Sequence, residues 1–144
     1  MIVVDAAFAV KLVVAEPDSA KAHMLWGEWQ AQREEVVAPT LFGAETASAL
    51  RLLVHRGKLD VAMGDEAFTA LRRLPVDIRE PEGLYERAWS MAKELNRPVV
   101  YDCLYLALAE SLGCELWTAD ERLARVAQPR FPWVRTLSEV QSTS

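Results

Sequence analysis

The chain has 144 residues, 51% of them hydrophobic and 26% charged, a composition typical of a globular domain rather than a disordered segment. Its net charge of −5, from 21 acidic and 16 basic residues, argues against non-specific binding of polyanions as the main activity. A nuclease with a local acidic site is still compatible with that charge.

The cysteine count and the pattern of apolar residues indicate the cellular compartment in which the protein is expected. Cys103 and Cys114 are too few and too far apart for a metal finger or a redox pair, so we expect two buried thiols in a reducing compartment. The segment 1–15 lacks the basic stretch of a signal peptide, and no apolar run approaches the length of a membrane span. We therefore expect a cytoplasmic protein without a membrane partner.

The first predicted element is a short buried strand over residues 1–4, whose apolar side chains run directly into Asp5 without a turn signal. Further short strands are predicted over residues 36–39, 76–79 and 115–118, with an edge strand over 133–135. Helices are predicted over residues 7–14, 20–32, 42–56, 61–73, 84–95, 103–112 and 121–127. Trp26 and Trp29, on the second helix, could stack on bases, but core packing explains their spacing better.

The alternation of short apolar strands with helices predicts parallel strand pairing through crossover connections. The fold class that follows is α/β, a three-layer α/β/α sandwich with a short central parallel sheet. No linker, repeat or low-complexity segment divides the sequence. We therefore predict a single domain over residues 1–137 and a C-terminal tail over 138–144.

Four acidic residues follow strands or begin helices in this pattern. Asp5 and Asp120 stand just past the carboxyl ends of the first and fourth strands, where ligands bind in open parallel sheets. Glu45 and Asp102 lie near the starts of two helices on the same side. For any one of the four, capping of a helix N-terminus is at least as good an explanation as catalysis.

Taken together, the four acids are harder to explain as caps. Carboxylates gathered at one sheet edge repel one another unless a cation lies among them, and oxygen ligands suit Mg²⁺ or Mn²⁺. Such a centre activates water and neutralises phosphate, so the pattern predicts phosphoryl chemistry. Thr118, two residues before Asp120, could hydrogen-bond a metal-bound water or be an ordinary strand residue, and the sequence favours neither.

Several short motifs in this order resemble the PIN domain, and specifically the VapC-type toxin ribonucleases of bacterial toxin–antitoxin pairs. The resemblance covers nearly the whole chain and rests on Ile2-Val3-Val4-Asp5-Ala6 with Val10-Lys11, Ala38-Pro39 with Glu45 and Ala49-Leu50, Tyr101-Asp102 with Tyr105 and Ala107-Leu108-Ala109, and Leu116-Trp117-Thr118-Ala119-Asp120. It implies that the catalytic, metal-binding acids are Asp5, Glu45, Asp102 and Asp120. It also implies that Thr118 supports them with its hydroxyl group.

The resemblance implies a function as well. The expected activity is that of a metal-dependent endoribonuclease, which uses Mg²⁺ or Mn²⁺ to hydrolyse RNA phosphodiester bonds and leaves 5′-phosphate ends. The expected partners are an RNA such as tRNA, a cognate VapB-type antitoxin that blocks the site, and a second copy of the chain in a homodimer. The alternative is a catalytically weak or inactive PIN-fold module that binds RNA or protein.

The chain departs from the family pattern at Ala7, where many relatives carry a hydroxyl or amide side chain two residues after the first acid. Loss of that hydrogen bond could loosen metal binding. Lys11 and Arg122, each within a turn or two of a predicted metal ligand, are candidates for contacts to RNA phosphates. For each of the two, a solvated helix face is the alternative interpretation.

Other functions that begin at a strand-end acid fit less well. A phosphatase with an aspartyl-phosphate intermediate needs a second Asp where Ala7 stands, and a receiver domain needs an acidic pair ahead of its phospho-acceptor. A dinucleotide-binding fold needs a glycine-rich turn after the first strand, and the sequence has none there.

Overall fold

A five-stranded parallel sheet lies at the centre of the computed structural model, which describes residues 1–141. Its strands are β1 (Ile2–Val4), β2 (Val36–Ala38), β3 (Asp77–Ile78), β4 (Glu115–Thr118) and β5 (Val134–Thr136). Their order across the sheet is β3-β2-β1-β4-β5, and every neighbouring pair is parallel.

Strand β1 occupies the middle of the sheet because all its side chains are apolar, and all three are buried. The register places Val3 between Val37 of β2 and Leu116 of β4. Continuous apolar runs of this kind are typical of parallel strands that helices cover on both faces. Because β1 and β4 are parallel neighbours, Asp5 and Asp120 follow strands that end at the same edge.

Seven α-helices connect and cover the strands within the described part of the chain. They are α1 (Ala6–Val13), α2 (Ser19–Ala31), α3 (Leu41–His55), α4 (Val61–Arg72), α5 (Leu84–Glu94), α6 (Tyr101–Leu112) and α7 (Glu121–Ala127). Helix α1 packs against α2, α3 and α4, whereas α5 packs on α6, which lies against β1 and β4. The predicted three-layer α/β/α fold is confirmed, and no helix end differs from its prediction by more than two residues.

The core uses the aromatic residues that could have served as a base-stacking surface. The ring of Trp29 is buried, stacks on Phe8 at a centroid distance of 5.3 Å, and lies 6.0 Å from the ring of Trp117. Helix α6 adds seven consecutive buried residues, Cys103–Ala109. Cys103 is a buried free thiol, while the free thiol of Cys114 is only partly buried.

The end of the chain differs in detail from the prediction. Strand β5 lies one residue later than predicted because Thr136 pairs with Thr118 of β4. The first residues of the predicted tail belong to a 3-10 helix over Leu137–Glu139, and residues 142–144 of that tail lie outside the described residues. None of the described helices is long and apolar enough to cross a membrane.

Candidate active site

The four predicted acids line one cavity of about 330 Å³ at the carboxyl edge of the sheet. Asp5 comes from the end of β1, Glu45 from α3, Asp102 from the first turn of α6 and Asp120 from the turn after β4. The other lining residues are Ala6, Ala7, Ser48, Ala49, Leu52 and Tyr105. The structure thus brings together all four residues that the sequence singles out.

Asp5 is the most buried of the four acids, with 6% of its surface exposed. Its Oδ1 caps α1 by accepting a 2.9 Å hydrogen bond from the backbone N–H of Phe8, and its Oδ2 accepts a hydrogen bond from the hydroxyl of Thr118. Burial raises the pKa of Asp5 to about 7, the two hydrogen bonds oppose that rise, and the charges of Asp102 and Asp120 add to it.

Thr118 joins two of the acids to each other. Besides donating to Asp5, its hydroxyl accepts a 2.9 Å hydrogen bond from the backbone N–H of Asp120. The residue is fully buried at the end of β4, as an ordinary strand residue would be. Its hydroxyl therefore contacts the acids themselves and fixes their relative position.

Helix capping explains two of the four acids but not the others. Asp120 Oδ1 accepts hydrogen bonds from the backbone N–H groups of Arg122 at 3.0 Å and Leu123 at 3.2 Å, so Asp120 caps α7 as Asp5 caps α1. Glu45 and Asp102 lie inside their helices and cap neither of them. Asp102, predicted just before a helix, lies in its first turn because α6 begins at Tyr101.

Glu45 and Asp102 are held instead by side chains that the sequence did not single out for a role. The hydroxyl of Tyr105 donates a 2.6 Å hydrogen bond to Glu45 Oε1, and Arg97 Nη2 donates a 3.0 Å hydrogen bond to Asp102 Oδ2. Burial raises the pKa of Glu45, the Tyr105 hydrogen bond lowers it, and the Asp102 charge raises it again. One signal was available, since Tyr105 follows Asp102 by three residues and so shares its helix face.

The donor set of the cavity suits a hard divalent cation. Mg²⁺ and Mn²⁺ favour oxygen ligands, and Mg²⁺ binds through one or two carboxylates while keeping several waters. Within residues 1–141, no three His, Cys, Asp or Glu side chains already form a group that could hold an ion. Three of the carboxylates instead accept hydrogen bonds from the side chains of Thr118, Tyr105 and Arg97, with which an ion would share them.

The two cations predicted to contact RNA do not line the cavity. Lys11 Nζ lies 3.8 Å from Glu16 Oε1 and forms an ion pair there, and the exposed Arg122 contributes only its backbone N–H to the cap of α7. Ala7 does line the cavity, so the side chain two residues after Asp5 is apolar there. Arg97 is the only Lys or Arg side chain that forms an ion pair with any of the four acids among the described residues.

Comparison with known proteins identifies relatives of the chain. The family described as PIN domain matches residues 2–129. Ribonuclease VapC9 of Mycobacterium tuberculosis is 38% identical over 125 residues, which cover 84% of this chain and 95% of that protein. Ribonuclease VapC3 of the same organism is 38% identical over 124 residues, which cover 86% of this chain and 85% of that protein.

A solved structure shows the same fold. The crystal structure of Mycobacterium tuberculosis VapC20, a toxin that cleaves the sarcin-ricin loop, has a TM-score of 0.64 and 18% identity with this chain. The match covers 91% of this chain and 96% of that one. At this level of identity the likeness concerns the fold alone.

Proposed function

Because the chain belongs to the PIN domain family, in its VapC ribonuclease branch, we propose that it is an endoribonuclease that uses Mg²⁺ or Mn²⁺ to hydrolyse RNA phosphodiester bonds. The observation that carries the proposal is the cavity at the carboxyl edge of the sheet, which four carboxylates line. Helix capping accounts for Asp5 and Asp120 but not for Glu45 and Asp102, and carboxylates gathered in one cavity repel one another less when a cation lies among them.

The residues that would hold the ion are Asp5, Glu45, Asp102 and Asp120. When bound, a divalent ion supplies an activated water and neutralises charge on the phosphate. Thr118 holds the carboxylate of Asp5 close to the backbone of Asp120 through its two hydrogen bonds.

Tyr105 also lines the cavity and contacts one of the acids. Its hydroxyl donates the 2.6 Å hydrogen bond to Glu45, and the residue itself is buried on α6. The side chain of Glu45 is thereby directed toward α6, which also carries Asp102.

The remaining parts of the proposal concern partners and location. We propose that the chain is the toxin of a toxin–antitoxin pair, that a VapB-type antitoxin blocks the cavity, and that the toxin forms a homodimer in the cytoplasm. The RNA target is proposed to be a structured RNA such as tRNA. The ribonuclease names of the relatives support an RNA substrate and the toxin–antitoxin assignment.

A cleavage assay tests the activity. Wild-type protein should cut labelled RNA in Mg²⁺ or Mn²⁺ and not in a chelator, whereas Asp5→Asn and Asp102→Asn should fold and lose cleavage. Asp65→Asn is the matched control, since Asp65 is exposed on α4 and does not line the cavity. Cleavage by Asp5→Asn at the wild-type rate would refute the site assignment.

Metal binding and growth provide independent checks. The melting temperature should rise with added Mn²⁺ because the ion binds the folded state alone. A flat titration, together with RNA binding but no cleavage, would instead favour the non-catalytic RNA-binding module. Induction of the wild-type chain should arrest bacterial growth, and induction of Asp5→Asn should not.

A further inference from the structure

A second groove lies beside the acidic cavity, between the C-terminal half of α5 and the segment 96–100 that leads into α6. Its volume is about 250 Å³, and its lining includes Trp89, Lys93, Asn96, Arg97, Pro98 and Val99. Arg97 connects the two spaces, because it lines the groove while its guanidinium group donates to Asp102, which lines the acidic cavity. The groove and the acidic cavity are thus linked through the Arg97–Asp102 contact.

The groove combines an open aromatic surface with cations. Trp89 is 63% exposed, although large aromatic side chains are usually covered, and Val99 and Tyr101 nearby in the chain are about half exposed. Lys93 makes no ion pair with another described residue, whereas Lys11 is paired with Glu16. Exposed aromatic rings beside cations are the usual surface for single-stranded nucleic acid, since bases stack on the rings and phosphates contact the cations.

We propose that this groove binds a single-stranded stretch of RNA next to the scissile phosphate, with Trp89 stacking on a base and Lys93 and Arg97 contacting phosphates. The inference rests on the proposed function for its substrate class. Arg97 is paired with Asp102 in this structure, and its planar guanidinium matches a phosphate as well as a carboxylate. A polyanion is favoured over a protein partner because two cations and an exposed ring line the same groove, and because Arg97 also contacts Asp102 of the proposed cleavage site.

Under this proposal the guanidinium group of Arg97 has two alternative partners, the carboxylate of Asp102 and an RNA phosphate. Metal affinity and RNA affinity should therefore respond in opposite directions to its removal. Without RNA, its guanidinium neutralises Asp102 and so competes with a divalent ion for that carboxylate. With RNA bound, the guanidinium holds a phosphate and leaves Asp102 free. Loss of the Arg97 charge should therefore strengthen metal binding and weaken RNA binding.

RNA affinity is best measured in an Asp5→Asn background, so that cleavage does not intervene, by fluorescence anisotropy of a labelled single-stranded RNA in Mg²⁺. Trp89→Ala and Arg97→Gln should each weaken binding by about 10-fold. The salt dependence separates their roles: Arg97→Gln should lower the slope of log affinity against log salt by about 0.7, and Trp89→Ala should leave it unchanged. Phe68→Ala and Lys58→Gln are the matched controls, exposed residues outside both spaces.

Metal affinity is measured by calorimetry with Mn²⁺ on otherwise wild-type protein without RNA. Arg97→Gln should bind Mn²⁺ several-fold more tightly, while Trp89→Ala and Lys58→Gln should bind it as the parent does. Unchanged RNA affinity in both groove variants overturns the proposal. If RNA affinity is unchanged but Trp89→Ala sediments as a different oligomer from the parent, the proposal is also overturned. The groove would then be a protein interface.

The outcome for the groove can be separated from the outcome for the activity. RNA binding that depends on Trp89 and Arg97, in a wild-type protein that does not cleave, supports the groove and refutes the proposed function. If the wild-type protein cleaves RNA but its RNA affinity does not depend on Trp89 or Arg97, the proposed function is supported and the proposed RNA-binding role of the groove is refuted. A chain that binds no single-stranded RNA refutes the groove whatever its cleavage activity.

Discussion

Thr118 donates a hydrogen bond through its side-chain hydroxyl to Asp5 Oδ2, a contact between residues 113 positions apart in the chain. The parallel register that pairs Val4 with Trp117 makes this contact possible, because it brings the ends of β1 and β4 side by side. A hydrogen bond to the ionised carboxylate lowers the pKa of Asp5, whereas burial raises it. The sheet register thus influences how readily Asp5 ionises.

Replacement of Thr118 by Val tests this relationship, since the substitution keeps the shape of the side chain and removes the hydroxyl. The free energy of unfolding should fall by about 1–3 kcal/mol, because Asp5 and the backbone N–H of Asp120 lose a buried partner. The pKa of Asp5 should rise further, so Mn²⁺ should bind more weakly at pH 7. Denaturant unfolding and calorimetry measure the two effects. Thr118→Ser keeps the hydroxyl and should behave nearly as wild type, and an equal loss in both variants would contradict the role of the hydroxyl.

The stability of the metal-free protein should decrease as the pH rises from about 4 to about 7. Burial, with the charges of Asp102 and Asp120, raises the pKa of Asp5 from 3.8 to about 7. Between these values the folded protein keeps a proton that the unfolded chain has released, so stability present below pH 4 is lost through pH 7. The loss should reach a few kcal/mol and be visible in urea midpoints measured in a chelator.

Asp5→Asn is the control for this pH dependence, because its side chain cannot ionise. The variant should show a flatter profile over the same window and should be more stable than wild type above pH 7 in the chelator. Added Mn²⁺ should stabilise wild type most at high pH, where the carboxylate is free to bind it. If stability fell with pH as steeply in Asp5→Asn as in wild type, the pH dependence would belong to another group. Glu45 is one such group, because burial raises its pKa as well.

The fold and the meeting of the four acids could be predicted because both follow from local patterns. Short apolar strands alternating with helices imply a parallel sheet, and Asp5 and Asp120 each stand at the end of such a strand. For Asp5 and Asp120 to meet, β1 and β4 must also be neighbours, and the observed strand order meets this requirement.

The partners of the acids could not be predicted in this way, because they depend on side-chain directions between packed elements. Tyr105 contacts Glu45, which is 60 positions away in the chain. Arg97 contacts Asp102 from the segment that precedes α6, the helix on which Asp102 lies. Closeness along the chain did not distinguish the cations, since Arg97, which does pair with an acid, also lies only five positions from its partner Asp102. Lys11 is near Asp5 in the sequence but does not line the cavity.

Tyr105→Phe should weaken the site without unfolding the protein. The substitution removes the 2.6 Å hydrogen bond to Glu45, so the pKa of Glu45 should rise and its carboxylate should lose its fixed orientation. We expect the RNA cleavage rate to fall by about 10-fold at pH 7, with partial recovery at higher pH, and stability to fall by about 1 kcal/mol. Cleavage assays across a pH series measure this. Tyr85→Phe, at an exposed position on α5, is the control, and a pH-independent loss in Tyr105→Phe would contradict the proposed cause.

Two glycine substitutions should separate packing from the chemistry of the site. A Cβ at Gly64 of α4 would overlap Val54 Cγ2 of α3, a methyl group on a β-branched side chain that cannot easily rotate away. Gly64→Ala should therefore lower the free energy of unfolding by about 1–3 kcal/mol. A Cβ added at Gly27 of α2 would have no atom within 4 Å, so Gly27→Ala should raise the free energy of unfolding by about 0.5–1 kcal/mol. Both variants should keep the Mn²⁺-dependent rise in melting temperature, and loss of that rise in Gly64→Ala would show that the α3–α4 packing also positions Glu45.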